Sequence, residues 1–217
     1  MNTTFKKLPP ARQIQILEAA ASVFAEKGYY QANIASICQR AEMSNGALYK
    51  YFKSKENLYI YVYNYICETM FSGVYDFEPP EEKSVYDIIT DMMLDNERYF
   101  HAHPSFMQLY ADIWSTSMNQ FASRVSMQME AEIDNYWIKL AERGLKRGEI
   151  DPAFSPEYAA YLIDSQTLLF FFALTSVYHQ KRFDVFLRAE QGNLCSKKLI
   201  NKMVENIRLC LAPRHKG

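Results

Sequence analysis

A chain of 217 residues with 49% apolar and 23% charged side chains is long enough to bury a core and too apolar to be disordered. Seven glycines, eight prolines and no sustained two-residue alternation argue against a β-rich fold and for an all-α one. The net charge of −1 hides an asymmetry: residues 1–55 carry eight Lys/Arg against three Glu, or +5, and the remainder carries 16 basic against 22 acidic residues, or −6. A basic head on an acidic body suits a polyanion at one end only. Four cysteines, at 38, 67, 195 and 210, stand far apart in no metal-ligand spacing and read as small apolar residues of a reducing compartment. The opening MNTTFKKLPPARQ lacks the apolar core of a signal peptide, and the apolar run at 168–174 is too short to span a bilayer, so a cytoplasmic protein without a membrane is expected.

Residues 1–9 read as a loose arm, with Lys6 and Lys7 solvated or touching phosphate. A first helix runs from Pro10 or Ala11 to Lys27, because proline suits a first turn and Gly28 suits a stop. Its inner face is Ile16, Ala20, Val23 and Phe24. Asn33 then caps a short helix whose apolar face is Ile34, Ile37, Cys38 and Ala41. Glu42-Met43 breaks the period. Ser44 caps a second short helix running to about Phe52, with Leu48 and Phe52 turned inward. Asn45, Ala47, Tyr49, Lys50 and Lys53 make its other face. Two short helices about a tight turn, the second polar and basic, describe a helix-turn-helix reader of duplex DNA. The same pattern also describes a solvated hairpin inside an all-helical protein.

Ser54 caps the next helix, with Glu56 in its positive first turn. Leu58, Val62, Tyr65, Ile66 and Thr69 carry one face to about Val74, which makes it a lever between head and body. The stretch 76–83 is an acidic, proline-bearing loop. Further apolar periods predict helices over 84–103, 106–118, 121–144, 156–180 and 194–211, with 182–193 ambiguous. The expectation is about nine helices: a three-helix helix-turn-helix DNA-binding head over 1–53 and a helical ligand-binding and dimerisation body over 54–217.

The stretch 156–180 is apolar nearly all round. Tyr158, Leu162, Ser165, Leu169, Phe172 and Ser176 line one side, and Ala159, Ile163, Phe170, Leu174 and Val177 line another. Such a helix needs cover on both sides. One cover is the body's own core. The other is a second copy, through a four-helix seam using Leu162, Leu169 and Phe172 with Met203 and Ile207 of the last helix, or a single thick monomeric core. Many of the 16 Tyr and 14 Phe fall in the predicted helices of the body. Tyr61, Tyr65, Tyr99, Phe106, Tyr110, Trp114, Trp137 and Phe171 are plain core residues one by one; together they suit the lining of an apolar cavity with a few hydroxyl handles.

Catalytic chemistry has little support. His101, His103 and Asp112 are the nearest approach to a metal set, and no Cys/His spacing backs them. No phosphate loop, His-Glu-x-x-His or nucleophile elbow occurs, so neither an enzyme nor a cofactor is expected. An enzyme would turn its ligand over. A purely protein-binding helical adaptor would show no salt-dependent affinity for duplex DNA.

The stretch AEMSNGALYKYFKSKENLY resembles the signature of the TetR family of bacterial repressors, and ILEAAASVFAEKGYYQANIASICQRA resembles that family's first two helices. The resemblance covers about residues 12 to 62. It implies a dimer joined through the last two helices, two heads in successive major grooves of a palindromic operator about 34–36 Å apart, and an effector in the body that loosens DNA. Ser44, Tyr49 and Lys55 match family positions that hold phosphates. Asn45, Ala47 and Lys50 are expected to face bases, with Lys50 suited to guanine and Asn45 to adenine. Asn33, Gly46 and Lys53 complete the expected DNA-binding set. The Met and aromatic content suits an apolar or aromatic effector, and the acidic body favours a neutral or cationic one unless Arg98 or Arg124 offsets that charge locally; it would be enclosed between the helix that starts at residue 54 and the one over 156–180. Two departures stand out. Glu42 replaces the usual turn glycine, at about 1 kcal/mol if the backbone there is left-handed. Ala32-Asn33 replaces Thr-Ser or Thr-Thr, which removes one hydroxyl from the phosphate grip.

Overall fold

The computed structural model describes residues 4–70, 80–122, 124–125, 127–187 and 197–213, and among them every regular element is helical. The chain forms two compact units, Met1–Met70 with His103–Met127, and Phe71–Ala102 with Gln128–Gly217. The boundary expected after residue 53 follows the end of the reading helix. The compact units instead keep the next helix and a later segment with the head.

In the first unit, α1 (Pro10–Gln31) begins with proline at its first position and is interrupted at Gly28, whose φ of 68° is left-handed. Then come α2 (Ile34–Arg40), α3 (Asn45–Phe52) and α4 (Lys55–Met70). After the excursion through the other unit, α6 (Pro104–Asp112), a 3₁₀ turn (Thr116–Met118) and the single turn α7 (Asn119–Ala122) return. α1 packs on α2, α4 and α6, and α4 packs on α6. Ile16, Ala20, Phe24, Ile37, Leu48, Leu58, Val62 and Phe106 are buried there, so each predicted inner face does turn inward. The expected helix over 106–118 ends at Asp112, and the one expected from 121 is divided into α7 and α8. Ile113 and Val125 are buried from turns, Met118 from the 3₁₀ turn and Phe121 from α7.

The arm is not loose from residue 4 onward. Phe5 lies in a 3₁₀ turn (Phe5–Lys7), is 0% exposed, and meets the rings of Phe52 at 4.8 Å and Tyr61 at 5.3 Å. A buried phenyl removes about 2 kcal/mol worth of apolar surface from water, which is enough to hold a short arm. Residues 1–3 lie outside the described residues.

In the second unit, α5 (Val85–Ala102), α8 (Met127–Lys146), α9 (Pro156–Thr175), α10 (Val177–Leu187) and α11 (Lys197–Leu211) surround one core. Ile88, Ile89, Trp137, Leu140, Ile163, Phe170, Ile200 and Val204 meet in it. The predicted helix over 156–180 breaks at Ser176, which is extended (φ −119°, ψ 119°), and the ambiguous stretch after 181 continues as α10 to Leu187. The expected end of α4 at Val74, residues 76–79 of the loop 76–83, and the chain from 188 to 196 lie outside the described residues. At Gly144 the backbone passes so close to Ile150 and Val85 that a Cβ would lie 2.7 Å from Ile150 Cδ1 and 2.9 Å from Val85 Cγ2. By length and composition α9 as a whole, unlike its run at 168–174, could cross a bilayer. Its packing accounts for that: Ala159, Ile163, Phe170 and Leu174 face the core shared with α5 and α11.

Candidate nucleic-acid interface

Asn33 is extended (φ −123°, ψ 152°), and its Oδ1 accepts a hydrogen bond from the Ser36 N–H at 2.8 Å. Ser44 is extended (φ −79°, ψ 151°), and its Oγ accepts from the Ala47 N–H at 3.2 Å. Each cap satisfies one orphan donor and contributes about 1 kcal/mol. These two local bonds are why α2 and α3 start where they do. Between them Glu42 takes φ 49°, so the turn is left-handed and the departure from glycine carries its expected strain of about 1 kcal/mol. Arg12 of α1 braces this turn: its Nη2 donates to the Glu42 carbonyl at 3.0 Å.

Leu48 and Phe52 bury the inner side of α3, while Asn45, Gly46, Tyr49 and Lys50 are exposed and Ala47 is half-buried. A Cβ at Gly46 would meet nothing within 4 Å, so this end of α3 is open to a close surface. Lys53 is exposed just past the end of α3 at φ 63°. Arg40 of α2 is engaged within the unit. Its Nη1 donates to Glu26 Oε1 at 2.6 Å and to Ser22 Oγ at 2.7 Å, and its Nη2 to Glu26 Oε2 at 3.0 Å. Those bonds hold the Glu26 carboxyl below its usual range. They also clamp α2 on α1.

Lys55 is placed differently from its expected role. Its Nζ donates to the carbonyls of Tyr29 at 2.8 Å, Tyr30 at 3.3 Å and Ala32 at 3.0 Å, and it lies 4.5 Å from the centre of the Tyr29 ring. The end of a helix presents unpaired carbonyls and partial negative charge, which a cation answers. These three bonds engage the Lys55 ammonium within the first unit.

The aromatic set expected around one cavity is dispersed. Within the first unit, Tyr61 and Tyr65 line a half-open cleft of about 300 Å³, together with Lys6, Asn57, Asn64 and Glu68. Burial raises both phenols' pKa values, and the Glu68 carboxylate adds to it. Phe106 and Tyr110 are core, Phe106 meeting Tyr65 at 6.0 Å and Tyr110 stacking on Tyr63 at 5.7 Å. Trp114 is 44% exposed. In the second unit Trp137 and Phe171 are buried and Tyr99 is half-buried. His101, His103 and Asp112 face different partners, Glu97 at 3.6 Å, Glu18 at 3.2 Å and Gln108 at 3.0 Å. Among the described residues no cluster of His, Cys, Asp and Glu is arranged for a metal ion.

The expected seam also divides. Leu169 is 43% exposed and Leu162 is half-buried. Phe172 is half-buried and stacks on His179 at 5.1 Å. Met203 and Ile207 belong to the core of their own unit, because the apolar face of α11 turns toward α5 and α9. Most of the exposed large apolar residues of this unit come from α9 and α10, namely Tyr158, Tyr161, Leu169, Val177, Tyr178, Val185 and Phe186, and α11 adds Leu209. α10 was not legible in the sequence, so its share of this face was missed. Arg12 and Phe5 were missed too; their partners are 30 residues or more away along the chain.

Residues 16–62 match the profile of bacterial regulatory proteins, tetR family. The fatty acid metabolism regulator protein of Bacillus subtilis (strain 168) is 41% identical over 49 residues, 23% of this chain and 25% of that protein. HTH-type transcriptional regulator QacR of Staphylococcus aureus is 25% identical over 134 residues, 60% of this chain and 70% of that one. The first four curated relatives are matched over only 20% to 29% of their own length. Whole-chain likeness comes from solved structures. The fatty acid degradation regulator FadR of Bacillus halodurans has a TM-score of 0.68 at 17% identity, over 93% of this chain and 96% of that one. FadR of Bacillus subtilis in complex with stearoyl-CoA has a TM-score of 0.63 at 18% identity, over 89% and 96%. These structures share the fold.

Proposed function

Because this chain belongs to the TetR family of bacterial regulatory proteins, we propose that it is a DNA-binding transcriptional regulator: a cytoplasmic homodimeric repressor, released from a palindromic operator by a small apolar or aromatic effector. The observation that carries this reading is the capped α2–turn–α3 unit, with its apolar side buried and Asn45, Gly46, Tyr49 and Lys50 outward. Lys50 reads a guanine edge and Asn45 an adenine edge, while Ser44, Tyr49 and Lys53 meet phosphate, with Asn33 and Ala47 at the margins. Two copies set their α3 helices about 34–36 Å apart along one side of the duplex. The dimer seam is the apolar face of α9 and α10, since a soluble monomer rarely leaves so large a patch uncovered.

The effector reaches Tyr61 and Tyr65 on α4, the helix that also packs on α1. It must favour the released state by several kcal/mol, and a ligand binding both states equally releases nothing. The acidic charge of the chain outside the head favours a neutral or cationic ligand. A second reading takes its support from FadR of Bacillus subtilis, whose solved complex holds stearoyl-CoA: an acyl thioester, anionic rather than cationic. The protein acts without turnover, so its ligand is recovered unchanged.

The test is selection of duplexes from a random pool by the full chain, followed by footprinting upstream of its own gene. A palindromic site with salt-dependent affinity is expected. Affinity without salt dependence would leave only the adaptor class. Titration of hydrophobic cations and of long-chain acyl-CoA, with and without the selected duplex, separates the two effector readings. Reciprocity requires the true effector to bind more weakly by the same factor when DNA is present.

A further inference from the structure

One ammonium group ties three segments of the first unit together, and we propose that Lys55 is a positioning residue for the reading helix, which leaves the sequence-blind grip on phosphate beyond α3 to Lys53. The inference rests on the reading that α2–α3 engages duplex DNA. The chain leaves the last turn of α1 at Ala32 (φ −63°, ψ 136°) and enters α2 directly at the Asn33 cap. Such a connection exposes carbonyls that no helix satisfies. Three of them, from Tyr29, Tyr30 and Ala32, converge on Lys55 Nζ at 2.8, 3.3 and 3.0 Å.

An ammonium has three donors and no acceptor, so these three bonds use it fully. Phosphate would have to displace one of them. The Tyr29 ring, 4.5 Å away, covers a further side, and it is itself fixed against Tyr59 at 5.2 Å and Phe121 at 4.6 Å. Lys55 is the first residue of α4, and Ala32 immediately precedes the cap of α2. This contact therefore adds to the packing of α4 on α1 and α3 that sets the angle at which α4 meets the helix-turn-helix. Lys53 is exposed where the chain leaves α3, and it has the reach that Lys55 has given up.

The experiment compares full-length Lys55→Met, Lys55→Arg and Lys53→Gln with the wild type, on the duplex that the wild type selects and on random duplex. Log affinity is followed against log salt. We expect Lys53→Gln to flatten the slope by about one per head, while both Lys55 variants keep the wild-type slope. In the Lys55 variants the preference for selected over random duplex falls severalfold. Arginine keeps the charge but not the three-pronged geometry. Loss in Lys55→Arg alongside Lys55→Met therefore supports positioning. A slope reduced by one in Lys55→Met, with Lys55→Arg at wild type, overturns it. A second readout needs no DNA: amide hydrogen exchange at residues 36–38 is faster in Lys55→Met if the contact holds the start of α2. Unchanged protection there overturns the proposal even if the protein binds DNA. A wild type with no salt-dependent affinity for duplex overturns the DNA reading instead, and leaves the exchange result to judge Lys55.

Discussion

The solvent side of α3 in the first unit carries Asn45, Gly46, Tyr49 and Lys50, while that of α9 and α10 in the second carries Tyr158, Tyr161, Leu169, Val177, Tyr178, Val185 and Phe186. The first surface is hydrated easily and gives up little on release, so its contacts form and break with salt and sequence. The second leaves large apolar side chains in water at about 25 cal/mol per Å², and that cost is removed only by lasting cover. The polarity of what is exposed thus separates the two surfaces: the first suits the reversible contact proposed for α3, the second the standing association proposed for α9 and α10.

The largest way to break this contrast is Leu169→Glu, which puts a charge on the apolar face without touching the core. A folded monomer is expected, with operator affinity down about 100-fold or more through lost bivalency. Sedimentation with circular dichroism checks it; loss of helical signal would mean that Leu169 is core after all. Next comes Phe5→Ala, which empties a fully buried site beneath Phe52 and Tyr61. It should cost about 3 kcal/mol in urea unfolding, and a cost near zero would return the arm to solvent.

Lys50→Ala sharpens the polar side. A loss of roughly 1–3 kcal/mol at one base pair is expected, with choice relaxed at that position alone. A uniform loss on all duplexes would make Lys50 a phosphate contact. Glu42→Gly should raise stability by about 1 kcal/mol, because the backbone at φ 49° no longer opposes a side chain.

The smallest effect concerns Asp164 of α9. Burial pushes its carboxyl pKa up, the Asp134 charge adds to that, and a hydrogen bond with Trp137 partly opposes it. A carboxyl raised on folding binds its proton more tightly in the native state. Its favourable contribution is present below the unfolded pKa and is lost as pH rises through the folded one. Asp164→Asn should therefore gain in melting temperature at pH 7 relative to wild type and gain little at pH 4. Equal gains at both would refute the linkage.

The parts of the first unit that were legible in the sequence are those set by neighbours three or four residues away. The Asn33 and Ser44 caps, the inner faces of α1 to α4 and the exposed side of α3 all follow from that spacing. What was missed depends on distant partners or on breaks that keep the apolar pattern. Lys55 finds carbonyls 23 to 26 residues back. The break at Ser176 lies between Leu174 and Val177, so hydrophobicity runs across it undiminished. Met203 and Ile207 were rightly apolar, but a helical stripe states that it is covered and not by what. The expected effector set is dispersed for the same reason: an aromatic residue reads alike whether it lines a cleft, as Tyr61 does, or fills a core, as Phe106 does.

Gly144 has a consequence for how the second unit can move. α8 approaches Val85 and Ile150 there with its bare backbone, within a distance that even a methyl group would violate. The absent side chain works as a notch. A turn of α8 about its own axis by one residue, about 100°, would swing Leu145 or Arg143 toward that gap, where a side chain would press on Ile150 and Val85. Rolling is thereby opposed, while a small swing about the notch is not. Any rearrangement of α8 should pivot at this end and be largest at the other, near Met127.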